Sequence, residues 1–107
     1  MKIVPDHRTR QYELTCLFDP DFSETQLTTV GEEVAKSVAK HHGQVLSQTS
    51  WGKKNLAYLI KHRTHRYHQA NFSYWELEFV TDQVNAFEKE LYLSESIIRH
   101  LLVIKEV

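Results

Sequence analysis

Polar and apolar residues alternate near the start of the chain in a way that predicts a β-strand. In residues 11–18, QYELTCLF, every second position is apolar: Tyr12, Leu14, Cys16 and Phe18. Successive side chains of a strand point to opposite faces of the sheet, so these four would share one buried face. The sequence Asp19-Pro20-Asp21 is typical of a turn and would end this first strand, β1.

A helical period replaces the alternation after this turn. Ser23 followed by Gln26 has the spacing of a capping box, which indicates the start of a helix. Apolar residues then recur every three or four positions, at Leu27, Val30, Val34 and Val38. This helix, α1, is predicted to end at Gly43, with the glycine as its C′ residue.

The next region has strand character but changes parity. Val45 and Trp51 stand at odd positions, whereas Leu56, Tyr58 and Ile60 stand at even positions. One extra residue reconciles the two segments, and glycine in a strand often marks such an insertion. We therefore predict one long bent strand, β2, with a bulge in residues 52–54, next to Gly52.

A hairpin should return the chain alongside β2. The polar residues 61–66 are predicted to form its loop, and residues 67–79 the returning strand, β3. The apolar parity also changes within β3. We expect a second irregularity near Tyr74 for that reason.

A second helix and a last strand complete the pattern. Thr81 or Asp82 is expected to cap helix α2, whose apolar stripe is Val84, Phe87 and Leu91. Residues 97–104 form the last predicted strand, β4, which is apolar at both parities. Such a strand is typically covered on both faces, so β4 is expected to be central.

The resulting order, β-α-β-β-α-β, is that of an α+β, ferredoxin-like split β-α-β fold. We predict one domain over residues 1–107, in which residues 1–9 form a flexible N-terminal extension. A four-stranded antiparallel sheet would carry both helices on one face, with β1 and β4 in the centre. The aromatic side chains on the helix-free face would then need a partner.

Composition restricts the class of protein. A chain of 107 residues with 41% hydrophobic and 25% charged residues fits one soluble globular domain. No apolar run approaches the roughly 18 residues needed to span a bilayer, and the first ten residues lack the apolar stretch of a secretory signal. The single cysteine, Cys16, excludes a disulfide framework and is expected to be a buried, inert thiol, so we expect a cytoplasmic protein.

The charge is sorted along the chain. Between Glu33 and Glu76 there is no acidic residue, while that segment contains seven cations: Lys36, Lys40, Lys53, Lys54, Lys61, Arg63 and Arg66. Together with interleaved aromatic residues, this pattern favours a surface that binds a polyanion such as RNA. The alternative is a solvated hairpin, since edge strands often carry lysine to block pairing with other chains.

The sequence gives little support to catalysis or metal binding. His62, His65 and His68 recur every third residue, but in a turn and strand this spacing does not bring three rings to one ion. The chain has no glycine-rich phosphate loop and no nucleophile motif. We therefore expect a binding module rather than an enzyme, with no cofactor and no metal.

Three separated segments carry a family resemblance. The sequence WGKKNLAYLIK of residues 51–61 resembles the signature segment of the bacterial small-subunit ribosomal protein S-six family, with Leu59 in the place of that family's proline. The sequences RQYE at residues 10–13 and ESIIRHL at residues 95–101 resemble the family's β1 and its approach to β4. The family's ferredoxin-like fold is also the one that the periodicity predicts.

The resemblance implies a structural protein of the cytoplasmic ribosome. Such a protein binds the central domain of small-subunit ribosomal RNA together with ribosomal protein S-eighteen, and has no membrane or small-molecule partner. By position, the RNA-binding residues would be Arg10, Lys53, Lys54, Lys61 and Arg99. Charge alone adds His62, Arg63 and Arg66, and the partner contacts would be Trp51, Tyr58 and Tyr67.

Two other functions remain open at this point. A ferredoxin-like regulatory domain that binds a small ligand would form a homodimer and show little salt-dependent affinity for RNA. A metal-dependent enzyme that uses the histidines would bind metal stoichiometrically in a cleft.

Overall fold

The structure, a computed structural model, describes residues 8–105. Its elements are β1 (Thr9–Phe18), α1 (Glu24–Lys40), β2 (Gln44–His62), β3 (His65–Val80), a 3₁₀ turn (Thr81–Gln83), α2 (Val84–Leu93) and β4 (Ile97–Ile104). The predicted order β-α-β-β-α-β and the antiparallel four-stranded sheet are confirmed. Most of the predicted N-terminal extension lies outside the described residues, but Thr9 already belongs to β1, where it pairs with Val80.

The strands are arranged in the order β2-β3-β1-β4, so β1 and β3 are central. The prediction that β4 is central is wrong, because β4 lies at an edge. Its first two residues, Ile97 and Ile98, are buried, whereas Leu101 and Ile104 are exposed. The apolarity of β4 at both parities therefore comes partly from exposed side chains and does not reflect burial on two faces.

The main core lies between one face of the sheet and the two helices. The alternating residues of β1 that the sequence indicated are all buried there, beside Trp75, Leu77 and Phe79 of β3. Val30, Val34 and Val38 of α1 and Phe87 and Leu91 of α2 cover this face, which confirms both apolar stripes. Neither of the helices in residues 8–105 covers the opposite face of the sheet.

Helix α1 begins as predicted and ends one residue differently. The Ser23 hydroxyl accepts a hydrogen bond from the Gln26 amide, and the Gln26 side chain accepts one from the Ser23 amide, which completes the capping box. At the other end the left-handed C′ residue is His42, with φ of 61°, rather than Gly43. The amides of His42 and Gly43 donate to the carbonyls of Ala39 and Val38, the pattern of a Schellman motif.

Gly43 is required by packing rather than by a positive φ. A Cβ atom at this position would come within 2.4 Å of the Phe79 ring. The missing side chain therefore lets the end of α1 approach the core face of β3.

Two predictions about the hairpin strands are also wrong. Strand β3 pairs with β1 in unbroken register from Asn71 to Val80, so there is no irregularity at Tyr74. The polar residues 61–66 are mostly paired, and the turn consists of Arg63 and Thr64 alone. These side chains are polar because the hairpin projects into solvent, not because the backbone leaves the strand.

Helix α2 lacks the predicted side-chain cap. A 3₁₀ turn over Thr81–Gln83 leads into the helix, and neither element has a side-chain hydrogen bond at its N-cap. The amide of Thr81 instead donates to the carbonyl of Arg8, which joins the turn to the residue before β1.

Glu90 joins the two helices. Its carboxylate accepts hydrogen bonds from Lys40 Nζ at 2.6 Å and from the Ser37 hydroxyl at 2.5 Å. The Nε2 atom of His41 lies 3.2 Å from the same carboxylate without the alignment of a hydrogen bond. Bonding to Lys40 and then to Ser37 lowers the pKa of Glu90 to about 2.

Replacing Glu90 by glutamine should therefore destabilise the domain in a pH-dependent way. Charge-assisted hydrogen bonds contribute about 1.5–3 kcal/mol when buried. Glu90 is one-third exposed, so we expect a loss of about 1 kcal/mol at neutral pH, or about 4–8 °C in Tm.

The sign of the pH dependence follows from the lowered pKa. The stabilisation by Glu90 is complete above the unfolded-state pKa near 4.5 and is lost as the pH falls towards about 2. Thermal unfolding from pH 7 to pH 2 should show the difference between the wild type and Glu90→Gln shrinking over that interval. Glu32→Gln, at an exposed position of α1, is the control, and an equal Tm loss in both variants would contradict the assignment.

Candidate nucleic-acid interface

The β2-β3 hairpin extends beyond the rest of the sheet. Strand β1 reaches only as far as Asn71 of β3, and residues 65–70 continue past it with β2 as their partner. The described chain is correspondingly elongated, with extents of 52 × 25 × 24 Å. The projecting part carries the cations Lys54, Lys61, Arg63 and Arg66, and Lys53 lies at its base, opposite Asn71.

A bulge in β2 places an aromatic residue on the helix-free face. Ser50 pairs with Ser73 and Gly52 with Phe72, which leaves Trp51 as the extra residue. Gly52 has φ of 76°, a left-handed conformation that glycine adopts without strain. The bulge predicted near Gly52 is thus confirmed.

Trp51 stacks on an aromatic side chain of the adjacent strand, β3. The ring centroids of Trp51 and Tyr74 are 5.1 Å apart and the planes are inclined by 11°. Lys54 Nζ lies 5.3 Å from the Trp51 centroid, within the range of a cation–π interaction. The stack leaves Trp51 44% exposed and available to a partner.

A larger bulge follows in the signature segment. Asn55 pairs with Gln69 and Ile60 with Tyr67, so residues 56–59 of β2 lie opposite His68 alone. Tyr58 points into solvent, 84% exposed.

The hairpin is nevertheless packed onto the sheet. Ile60 is buried against Leu17, Ala70 and Ile98, with Leu56 at the margin of the same cluster. This second hydrophobic cluster lies apart from the helix-covered core. It holds the hairpin in position, so the cations do not sit on a free loop.

Acidic residues from other parts of the chain flank the hairpin. Arg63 lies 3.5 Å from Glu95, although both side chains are too exposed for the pair to contribute much stability. The Tyr67 hydroxyl donates to Asp19 at 3.4 Å, and burial and then the negative charge of Asp19 raise the pKa of Tyr67. The segment between Glu33 and Glu76 contains no acidic residue, but carboxylates from other parts of the chain lie next to it in the fold.

The predicted RNA-binding residues do not form one group. Lys61, His62, Arg63 and Arg66 lie at the hairpin tip, and Arg99 lies next to His62 around a common cavity. Lys53 and Lys54 are exposed in the middle of the hairpin. Arg10 pairs with Phe79 at the opposite end of the sheet, roughly 40 Å along β3 from Arg66 at about 3.3 Å per residue.

The predicted partner contacts fall into two kinds. Trp51 and Tyr58 are exposed, whereas Tyr67 is half-buried against Asp19 and the second cluster.

The helix-free face adds residues that the sequence analysis did not single out. Glu13 and Glu76 flank Tyr74, whose pKa is raised by burial and then by these two carboxylates.

That face is mixed in character. Glu76 pairs with Lys105 at 3.3 Å, while Leu101 and Val103 of β4 are 62% and 42% exposed. Aromatic and apolar surface beside carboxylates suits a cationic protein better than a phosphate backbone. The sequence could have indicated Glu13 and Glu76, because both alternate with buried residues and so must point to the face opposite the core.

Residues 8–105 give no sign of a reactive thiol, a metal site or a membrane span. Cys16 is buried, as predicted, and burial raises the pKa of its thiol to about 12. Within these residues, no cluster of three or more His, Cys, Asp or Glu side chains has the arrangement to hold a metal ion. None of the helices described has the length and apolarity to cross a membrane.

Comparisons with a family model and with individual proteins point to the same family. The family model described as Ribosomal protein S6 matches residues 11–104. The small ribosomal subunit protein bS6 of Dictyoglomus turgidum is 33% identical over 98 residues, which cover 91% of this chain and 96% of that protein.

Solved structures share the fold. The crystal structure of 30S ribosomal protein S6 from Thermotoga maritima superimposes with a TM-score of 0.80 at 18% identity, covering 92% of this chain and 89% of that one. The C-terminal domain of the MgtC protein from Mycobacterium tuberculosis gives 0.57 at 11% identity, covering 96% and 95%. The fold by itself therefore does not select a function.

The Trp51 bulge provides a test of the hairpin geometry. Gly52→Ala should cost about 1–2 kcal/mol, because the alanine must keep a positive φ, although its Cβ meets no neighbouring atom. The near-ultraviolet circular dichroism of the Trp51–Tyr74 stack should weaken at the same time. Gly52→Asn is the matched control, since asparagine tolerates this conformation better and should lose less. Equal losses in the two variants would show that φ at this position does not set the bulge.

Proposed function

Because the chain belongs to the ribosomal protein S6 family, we propose that it is a structural component of the small ribosomal subunit. In this role it binds the central domain of small-subunit ribosomal RNA together with ribosomal protein S-eighteen. It works in the cytoplasm as part of the ribosome and catalyses no reaction.

The observation that carries the proposal is the position of the signature segment. Residues 51–61 form the outer strand of the projecting hairpin, and Lys53 and Lys54 are exposed on it next to the Trp51 bulge. The hairpin thus presents cations and an aromatic side chain well away from the core. A partner can reach them without any rearrangement of the sheet.

The proposed mechanism is passive. Lysine and arginine side chains of the hairpin neutralise phosphates and release counterions, which gives affinity that depends on salt. The rigid attachment of the hairpin through Ile60 fixes where these charges lie, so the shape of the RNA is read more than its sequence.

The helix-free face is the better surface for the protein partner. Its carboxylates, Glu13 and Glu76, would repel phosphates but attract a basic protein, and Leu101 and Val103 supply apolar area. Trp51 lies at the border between this face and the hairpin. One side chain can therefore contact the protein partner close to the RNA.

We expect Lys53→Ala combined with Lys54→Ala to weaken RNA association without unfolding the domain. Two lost phosphate contacts should lower the salt slope of log Kd by roughly one to two and the affinity by roughly ten- to a hundredfold. The measurement is filter binding of a central-domain RNA fragment in the presence of S-eighteen, over a range of salt concentrations.

Lys36→Ala with Lys89→Ala is the control for that experiment. It removes the same charge from exposed positions on the two helices. If both double variants lost affinity equally, the effect would be one of net charge, and the hairpin lysines would not belong to the site.

Co-purification tests the function as a whole. Tagged protein from its native cells should recover small-subunit RNA and a small basic ribosomal protein at low salt, and the RNA should be lost at high salt. Recovery of a homodimer without RNA at either salt concentration would favour the ligand-binding regulatory domain instead.

A further inference from the structure

A cavity lies at the outer edge of β4, between the hairpin tip and the end of α2. Its volume is about 350 Å³, within the range of small-ligand sites. Leu91, Ile97 and Ile98 supply its apolar wall, and His62, Tyr92 and Arg99 line it with polar groups. The hairpin tip therefore meets the end of α2 and the start of β4 here.

Two of the polar side chains around the cavity, His62 and Arg99, have binding groups to spare. The Nε2 atom of His62 is buried and has no hydrogen-bond partner within residues 8–105. Arg99 is exposed and forms no ion pair with any carboxylate in the same part of the chain. An unpaired buried imidazole nitrogen is destabilising, and a bound group can remove that cost if the ring turns towards the cavity.

The aromatic side of the cavity is held in position. His100 lies 3.0 Å from Glu88 through Nε2, and the ring of Tyr92 meets the ring of His100 edge-on at a centroid distance of 4.6 Å. Tyr92 is still 76% exposed, so most of its surface can pack against a ligand.

The backbone of β4 adds a further set of binding groups. As an edge strand with β1 as its only neighbour, β4 has amides and carbonyls on its outer side that pair with no other strand described. An unpaired base can bond to such groups with its Watson–Crick edge.

From these features we propose that the cavity holds one unpaired nucleotide of the ribosomal RNA. The base lies against the apolar wall and Tyr92, His62 and the β4 backbone bond to its polar edge, and Arg99 contacts its phosphate. This inference rests on the proposed function and adds a base-binding site to a hairpin that otherwise contacts phosphates.

The mixture of groups selects a nucleotide over simpler ligands. A phosphate alone would leave the apolar wall and Tyr92 unused. A base in a duplex is stacked and paired, so it cannot enter the cavity. A flipped or bulged nucleotide uses all of the groups together.

Tyr92→Ala tests the site without disturbing the core. Loss of one base–aromatic contact costs about 1–3 kcal/mol, so affinity for the central-domain RNA fragment should fall by roughly five- to a hundredfold. The salt slope should not change, because no cation is removed. Leu93→Ala, at the neighbouring and equally exposed position of α2, is the matched control and should stay within about twofold.

A second measurement does not depend on a variant. In amide NMR spectra of the wild-type chain, a single-stranded RNA pentamer should shift the signals of Ile97, Ile98 and Arg99, while a blunt RNA duplex or inorganic phosphate should not. Equal shifts with all three probes would overturn the proposal in favour of a plain anion site.

The outcomes separate this inference from the function on which it rests. If Tyr92→Ala binds RNA like the wild type, or weakens binding of S-eighteen instead, the nucleotide site is wrong and the ribosomal function stands. If no form of the protein binds RNA in a salt-dependent way, the proposed function fails as well.

Discussion

The pairing of β3 on both of its edges is the constraint on which the rest of the structure depends. On one edge β3 follows β1 residue by residue, which fixes the core face of Trp75, Leu77 and Phe79. On the other edge β2 runs its full nineteen residues beside the portion of β3 from His65 to Glu78, which is five residues shorter. The surplus is taken up entirely by three bulges in β2, at Leu46, at Trp51 and at residues 56–59. The last two place Trp51 and Tyr58 outside the sheet. The candidate interface is thus a product of unequal strand lengths.

Much of the fold was predictable because its signals are local. The capping box at Ser23, the apolar stripes of both helices, the strand Ile97–Ile104 and the bulge at Gly52 each depend on residues close together in sequence. The errors concern tertiary context. The parity change in β3 reflects side chains buried on both faces, since Ala70 packs in the second cluster and Trp75 in the first, and the strand itself is regular. The edge position of β4 could not be read from a strand whose exposed residues are as apolar as its buried ones.

The sequence predicted which cations belong to the candidate site but not how they are arranged in space. Counting charges along the chain identified the hairpin, because Lys53 to Arg66 are consecutive cations of one supersecondary unit. It could not show that Asp19 and Glu95 approach the same hairpin from other elements, or that Arg10 lies at the far end of the sheet. Nor does any sequence pattern join His62 to Arg99. These two residues line one cavity only because the second cluster draws the hairpin towards β4.

Because of the bulge at residues 56–59, the number of residues in the outer strand of the hairpin can change without disturbing the core. Because β3 is aligned by β1, a residue inserted into or deleted from this part of β2 leaves every core contact in register. Such a change is absorbed by the bulge and alters only the side chains that this part of the outer strand presents to solvent. Within a family of this architecture, gaps in an alignment should therefore collect in the outer strand of the hairpin, where they adjust the fit to a partner at little cost in folding.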